Sequence, residues 1–144
     1  MSEQAILQEL VSAWVSLGLE YANDAPDVSA LFVYASSEPS HMYAEFYFEQ
    51  RGMVVYPSDL AGISISVDRI RRVHDLQIQD LEAAEQKFAS AGIPAPTEYK
   101  IYYEPSTRKL DVQLSRDLIY TKDEAKTPVR GIEYWLGDRA PKLY

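Results

Sequence analysis

The residues with most chemical potential lie between Met42 and Gln50, where Tyr43, Glu45, Tyr47 and Glu49 alternate with Met42, Ala44, Phe46 and Phe48. A phenol supplies a large, rigid contact area with a polar tip, and a carboxylate attracts a basic surface. Acid–base hydrolysis of a glycoside needs two carboxylates close together. Glu45 and Glu49 on one extended strand would stand about 13 Å apart, too far for that reaction. The two histidines offer little more. His41 falls in a predicted turn, and His74, in a predicted helix, lacks a His or Glu three or four residues away to complete a metal pair. No Gly-rich phosphate loop and no Gly-x-Ser-x-Gly elbow occurs. Arg69, Arg71 and Arg72 form a small basic cluster without the interleaved aromatics of a nucleic-acid surface.

Elements must position these groups. Period-two alternation with aromatic enrichment predicts a strand over Met42–Gln50, with the apolar set turned to a core and the Tyr/Glu set turned away. Residues 3–17 predict a helix striped by Ile6, Leu10 and Trp14, with Ser2 as N-cap and Gly18 as its end. Ser29–Ala35 and Met53–Tyr56 complete a three-strand meander through a turn at Ser36–Ser40 and a tight hairpin at Arg51-Gly52. A long helix is expected from Ser66 to Ala91, stopped by Gly92 and striped by Ile70, Val73, Leu76, Leu81, Ala84 and Phe88. A short strand over Gly62–Val67 with a helix from Asp75 is the alternative. Glu98–Glu104 and Leu110–Ser115 make a hairpin with Leu110, Val112 and Leu114 inward; Arg116–Tyr120 is a candidate extension of it. Thr127-Pro128 opens a short helix carrying Ile132, Trp135 and Leu136. The last residues are expected either to dock as a tail through Leu143 and Tyr144 or to fray.

The expected fold class is therefore α+β in one domain, residues 1–144. An antiparallel sheet of about five strands carries helices on one face. Tyr43, Glu45, Tyr47, Glu49, Tyr102, Asp111 and Gln113 would share the open face.

Charge narrows the partner. The chain of 144 residues has net charge −8, and its first 50 residues hold eight acids with no Lys or Arg. Such a field repels nucleic acid and speeds association with a basic protein. The absence of cysteine excludes disulfides and thiolate chemistry. No basic leader and no apolar run of roughly 18 residues is present. The expectation is a cytoplasmic protein with no membrane partner and no cofactor.

The layout resembles the YezG-like immunity proteins, small bacterial cytoplasmic proteins that neutralise secreted polymorphic toxins, often nucleases. Four stretches carry the likeness: the N-terminal helix leading to Ala30-Leu31-Phe32-Val33-Tyr34, the strand Ala44-Glu45-Phe46-Tyr47-Phe48, the Ile65-Ser66 entry to a long helix ending near Phe88, and the hairpin Lys109–Leu114 followed by Asp117 and Tyr134-Trp135. The last hairpin turn reads Ser106-Thr107-Arg108 where the family pattern would place a glycine. The resemblance implies a non-enzymatic antitoxin that binds a cognate basic toxin domain. The residues expected to meet it are Tyr43, Glu45, Tyr47, Glu49, Tyr102 and Asp111. The rival readings are a small-ligand or enzymatic domain with Tyr43, Tyr47 and Tyr102 lining a pocket, and a homodimer through the same face.

Overall fold

The computed structural model describes residues 1–142. Its elements run α1 (Glu3–Tyr21), β1 (Val28–Glu38), β2 (His41–Gln50), β3 (Met53–Val55), α2 (Val67–Ala91), β4 (Glu98–Glu104), β5 (Lys109–Ser115) and α3 (Gly131–Leu136). The strands form one antiparallel sheet in the order β3-β2-β1-β4-β5. The α+β class expected from the sequence is the one found. The docking expected of Leu143 and Tyr144 lies outside the described residues.

Local chemistry explains most boundaries. Ser2 and Ser66 cap α1 and α2 by accepting the N–H of Ala5 and Arg69, each at 3.1 Å. Gly92 ends α2 in the left-handed conformation with φ 70°. Arg51 and Gly52 both take positive φ, 53° and 80°, as a two-residue hairpin turn demands. Arg108 takes φ 61° at the second hairpin, filling with a bulky side chain the left-handed position a glycine would occupy without strain.

Two boundaries and the stripe of α2 depart from the sequence expectation. The helix passes through Gly18 instead of ending there. A Cβ at Gly18 would lie 2.8 Å from the Leu31 side chain, so this glycine serves the close approach of α1 to the sheet. The helix then reaches Tyr21, whose hydroxyl donates to the Pro57 carbonyl at 2.6 Å. β1 extends to Glu38 because Ser36, Ser37 and Glu38 pair with Tyr43, Met42 and His41. The apolar stripe of α2 passes through Gln77, which is fully buried, while Leu76 is 37% exposed. Ile70, Val73, Gln77, Leu81, Ala84 and Phe88 are spaced three or four apart, as one helix face requires, and position 76 is a residue off that line.

The sheet separates two cores. Leu31, Val33, Phe46, Phe48, Tyr99 and Ile101 face α1 and α2. Trp14 is completely buried there, edge-on to Tyr99 with centroids 5.5 Å apart, and its Nε1 donates to the Gln77 carbonyl at 3.1 Å. On the other face Phe32, Tyr34, Tyr47 and Val54 pack with Tyr120, Ile132 and Ala140. The expectation of an open face is thus corrected: the segment from Asp117 to Lys142, including α3, lies over it. Arg116–Tyr120 does not lengthen β5, which ends at Ser115. The chain turns back there because Thr97 Oγ1 donates to the carbonyls of Ser115 and Asp117 at 3.1 and 2.6 Å.

Candidate functional site

Two-residue periodicity places Tyr43, Glu45, Tyr47 and Glu49 on one side of β2, and the register sets Tyr102 opposite Asp111 on the same side of the sheet. The six residues do share a face. What the structure changes is their access. Tyr47 is 0% exposed, Tyr43, Glu45, Glu49 and Tyr102 are half-buried, and Asp111 alone is exposed. Tyr43 and Tyr47 pair through their hydroxyls at 3.1 Å. Glu49 accepts from Ser29 Oγ at 2.6 Å and from Arg139 of the covering segment at 2.5 Å. Tyr102 packs on Phe32, centroids 5.1 Å apart, and donates to Glu104.

The covering segment is pinned at both ends. Arg139 holds its far end through Glu49. Its near end is gripped by Glu38, whose Oε2 accepts the N–H groups of Ile119 and Tyr120, both at 3.0 Å. Oε1 of Glu38 accepts the N–H and hydroxyl of Thr121 at 2.9 and 2.7 Å. Between them, Tyr34 donates to Glu98 at 2.6 Å and shares a hydrogen bond with the Tyr120 hydroxyl. His41 meets Ser36 Oγ through Nε2 at 2.8 Å and stands edge-on to Tyr120.

Electrostatics follow burial. Desolvation pushes the phenols of Tyr43 and Tyr120 up to about 12, and those of Tyr34 and Tyr47 higher still, so all remain protonated at neutral pH. These phenols are hydrogen-bonded packing groups. Glu45 is the unusual titrating group: burial lifts its carboxyl to about 7, opposed by the Phe46 N–H it accepts at 3.0 Å. A carboxyl whose folded pKa is raised favours the folded state less as pH rises from about 4.3 toward 7. Glu45→Gln keeps an acceptor for Phe46 and removes that loss. Its stability at about pH 8 is expected to rise by on the order of 1–2 kcal/mol, with little change at about pH 4. Urea unfolding across this range checks it; a parallel loss at both pH values would show that the carboxylate is not the cause.

Two surface features escape the sequence reading. Part of the excess acid lies on the helical layer, away from the tyrosines. α1 carries Glu3, Glu9 and Glu20 with no base, and α2 from Asp75 onward carries Asp75, Asp80, Glu82 and Glu85 against Lys87 alone. The two helices pack side by side, with Lys87 bonded to Glu9 at 2.5 Å. The first eight residues of α2, with Arg71 and Arg72 exposed, form a basic end to the layer. The missing bases of α1 were the signal in the sequence, but its location required the packing. Separately, Leu110, Val112 and Leu114 of β5 face the helical side as expected, yet no helix covers them. They are 49%, 36% and 36% exposed and line a groove of about 750 Å³ with Leu7 and Val11 of α1. A second cleft, about 540 Å³, lies between β3 and residues 138–142.

Among the described residues no group of three or more His, Asp or Glu is placed to hold a metal ion, and no helix is long and apolar enough to cross a membrane. No protein-family model and no curated protein matches the sequence.

Proposed function

We propose that this chain is a non-enzymatic binding protein of the immunity type, neutralising a basic toxin domain by direct contact, and that its acidic helical layer meets the toxin. The observation that supports this reading is the seven carboxylates on α1 and on α2 from Asp75 onward, of which Glu9 is paired by Lys87 and Glu3 by Arg116. A concentrated field of one sign accelerates encounter with an opposite surface and deters nucleic acid. A nuclease surface built for phosphate is such a partner. The tyrosine face contributes by rigidity: with Tyr47 and Tyr34 packed beneath residues 117–142, it holds the sheet on which the helices lie.

The test begins with the purified chain as bait for proteins of its own organism. The expected capture is a basic protein that arrests growth when expressed alone and is tolerated when this chain is co-expressed. Asp75 and Glu82 are exposed on α2, so reversing both to lysine should leave the fold intact. Binding at low salt is expected to weaken by about tenfold, with a smaller difference at high ionic strength. Protection that survives this reversal removes the helical layer from the interface. A captured protein without toxicity removes the immunity reading.

A further inference from the structure

The two edges of the sheet are treated differently. β3 is three residues long and is stopped by Pro57. Beyond it the Phe46 N–H of β2 is occupied by the Glu45 carboxylate. A short strand, a proline and a side-chain cap are recognised ways of blunting an edge. β5 has neither the brevity nor the proline, and its side-chain cap, Thr107 Oγ1 accepting the Lys109 N–H at 3.2 Å, sits at its first residue. The strand runs seven residues, and among the described residues no strand lies outside it. Every second residue there turns its N–H and C=O away from β4. Leu110, Val112 and Leu114 stand half-exposed along this edge beside the groove to α1.

The sequence of β5 also says what fits it. An antiparallel pairing of β5 with itself, centred on Val112, sets Val112 opposite Val112 and Leu110 opposite Leu114. Asp111 falls opposite Gln113, and Lys109 opposite Ser115. Within β5 apolar meets apolar, the one acid meets an amide and no like charges oppose, while just outside it Arg108 falls opposite Arg116, whose charge is already met by Glu3 of α1. Centring one residue earlier sets Asp111 against Asp111; one residue later sets Leu110 against Arg116. The two-fold axis stands perpendicular to the sheet, so both apolar rows stay on the helical side and the two grooves join between the α1 helices.

We propose that β5 is a homodimer interface: two copies pair edge to edge about Val112 and extend the sheet to ten strands, a self-complementary two-fold contact. This is independent of the toxin-binding reading, which uses the outward surface of the helices. Each copy carries net charge −8, so the dimer should tighten as salt screens their repulsion, opposite in sign to the salt response of the toxin complex.

The chain has no cysteine, which makes cross-linking a clean test of both partner and register. Paired residues in an antiparallel ladder have Cα atoms about 4.5–5.5 Å apart, within disulfide reach. Val112→Cys is expected to form a dimeric disulfide under mild oxidation. Leu110→Cys alone should not, its two copies standing about 13 Å apart along the ladder. A mixture of Leu110→Cys and Leu114→Cys should cross-link. Sedimentation velocity of the unmodified chain should show a reversible monomer–dimer equilibrium. Val112→Lys should weaken it by about tenfold or more by opposing two lysines on the axis, with an unchanged circular dichroism spectrum. A monomer at every concentration overturns the proposal, as does a dimer indifferent to Val112→Lys or cross-linking equally well through Leu110→Cys alone.

Discussion

Glu38→Ala is expected to loosen residues 117–142 from the sheet and to cost about 3–4 kcal/mol. One carboxylate accepts three backbone N–H groups and the Thr121 hydroxyl, and Glu38 itself is only 8% exposed. Hydrogen bonds to a charged acceptor contribute about 1.5–3 kcal/mol each when taken singly, and their sum is reduced because the freed donors regain water once the segment lifts. Glu38→Gln keeps a carbonyl acceptor and should cost about half as much. Burial pushes the Glu38 carboxyl up, but the Thr121 hydroxyl and the N–H groups of Tyr120, Thr121 and Ile119 together outweigh it, and the net direction is down. A depressed carboxylate stabilises fully above its unfolded pKa of about 4.3 and loses that contribution as pH falls through the folded value. The wild type should therefore lose stability in acid more steeply than Glu38→Ala does. Hydrogen exchange at Ile119, Tyr120 and Thr121 supplies the local readout. Unaltered protection of these amides in Glu38→Ala would overturn this account of the grip.

Gly131→Ala attacks the same segment from its other side. Gly131 is buried at the start of α3 with ordinary helical φ, −55°, so its backbone does not require glycine. The ring of Tyr34 does, since an added Cβ would overlap its Cε2 and Cζ. Tyr34 cannot swing aside cheaply: it is fully buried and bonded to Glu98 and Tyr120. The helix must move instead, withdrawing Ile132 and Trp135 from Phe32. Overpacking of a rigid site costs about 1–3 kcal/mol, and this site should lie at the upper end. Thermal unfolding should fall accordingly, although alanine is the better helix former at an unconstrained position. A second variant, Tyr34→Leu with Gly131→Ala, opens room for the methyl and should recover part of the loss relative to the sum of the singles. Strict additivity would show that the ring is not the obstacle.

Much of the architecture can be read locally because the responsible interactions are local. Ser66 and Gly92 cap a helix within a few residues of themselves, Arg51-Gly52 turns a hairpin, and alternation in β2 sorts Phe46 from Tyr47 whatever lies above either face. Those signals determined the class, the element order and which side chains share a face. They did not determine which face meets water. The cover of the tyrosine face comes from a largely irregular segment whose apolar contacts, Tyr120, Ile132, Trp135 and Ala140, follow no strand or helix period along their length. Its grip on Glu38 spans more than 80 positions of sequence. The exposure of Leu110, Val112 and Leu114 has the opposite cause: the pattern is inward, but two helices do not reach the last strand of a five-stranded sheet. Charge divides in the same way. The sequence alone determined that the first third is acidic, since that is composition. Only the packing of α1 beside α2 joined Glu3, Glu9 and Glu20 to the acids of α2 on one surface, because a field belongs to charges that are neighbours in space.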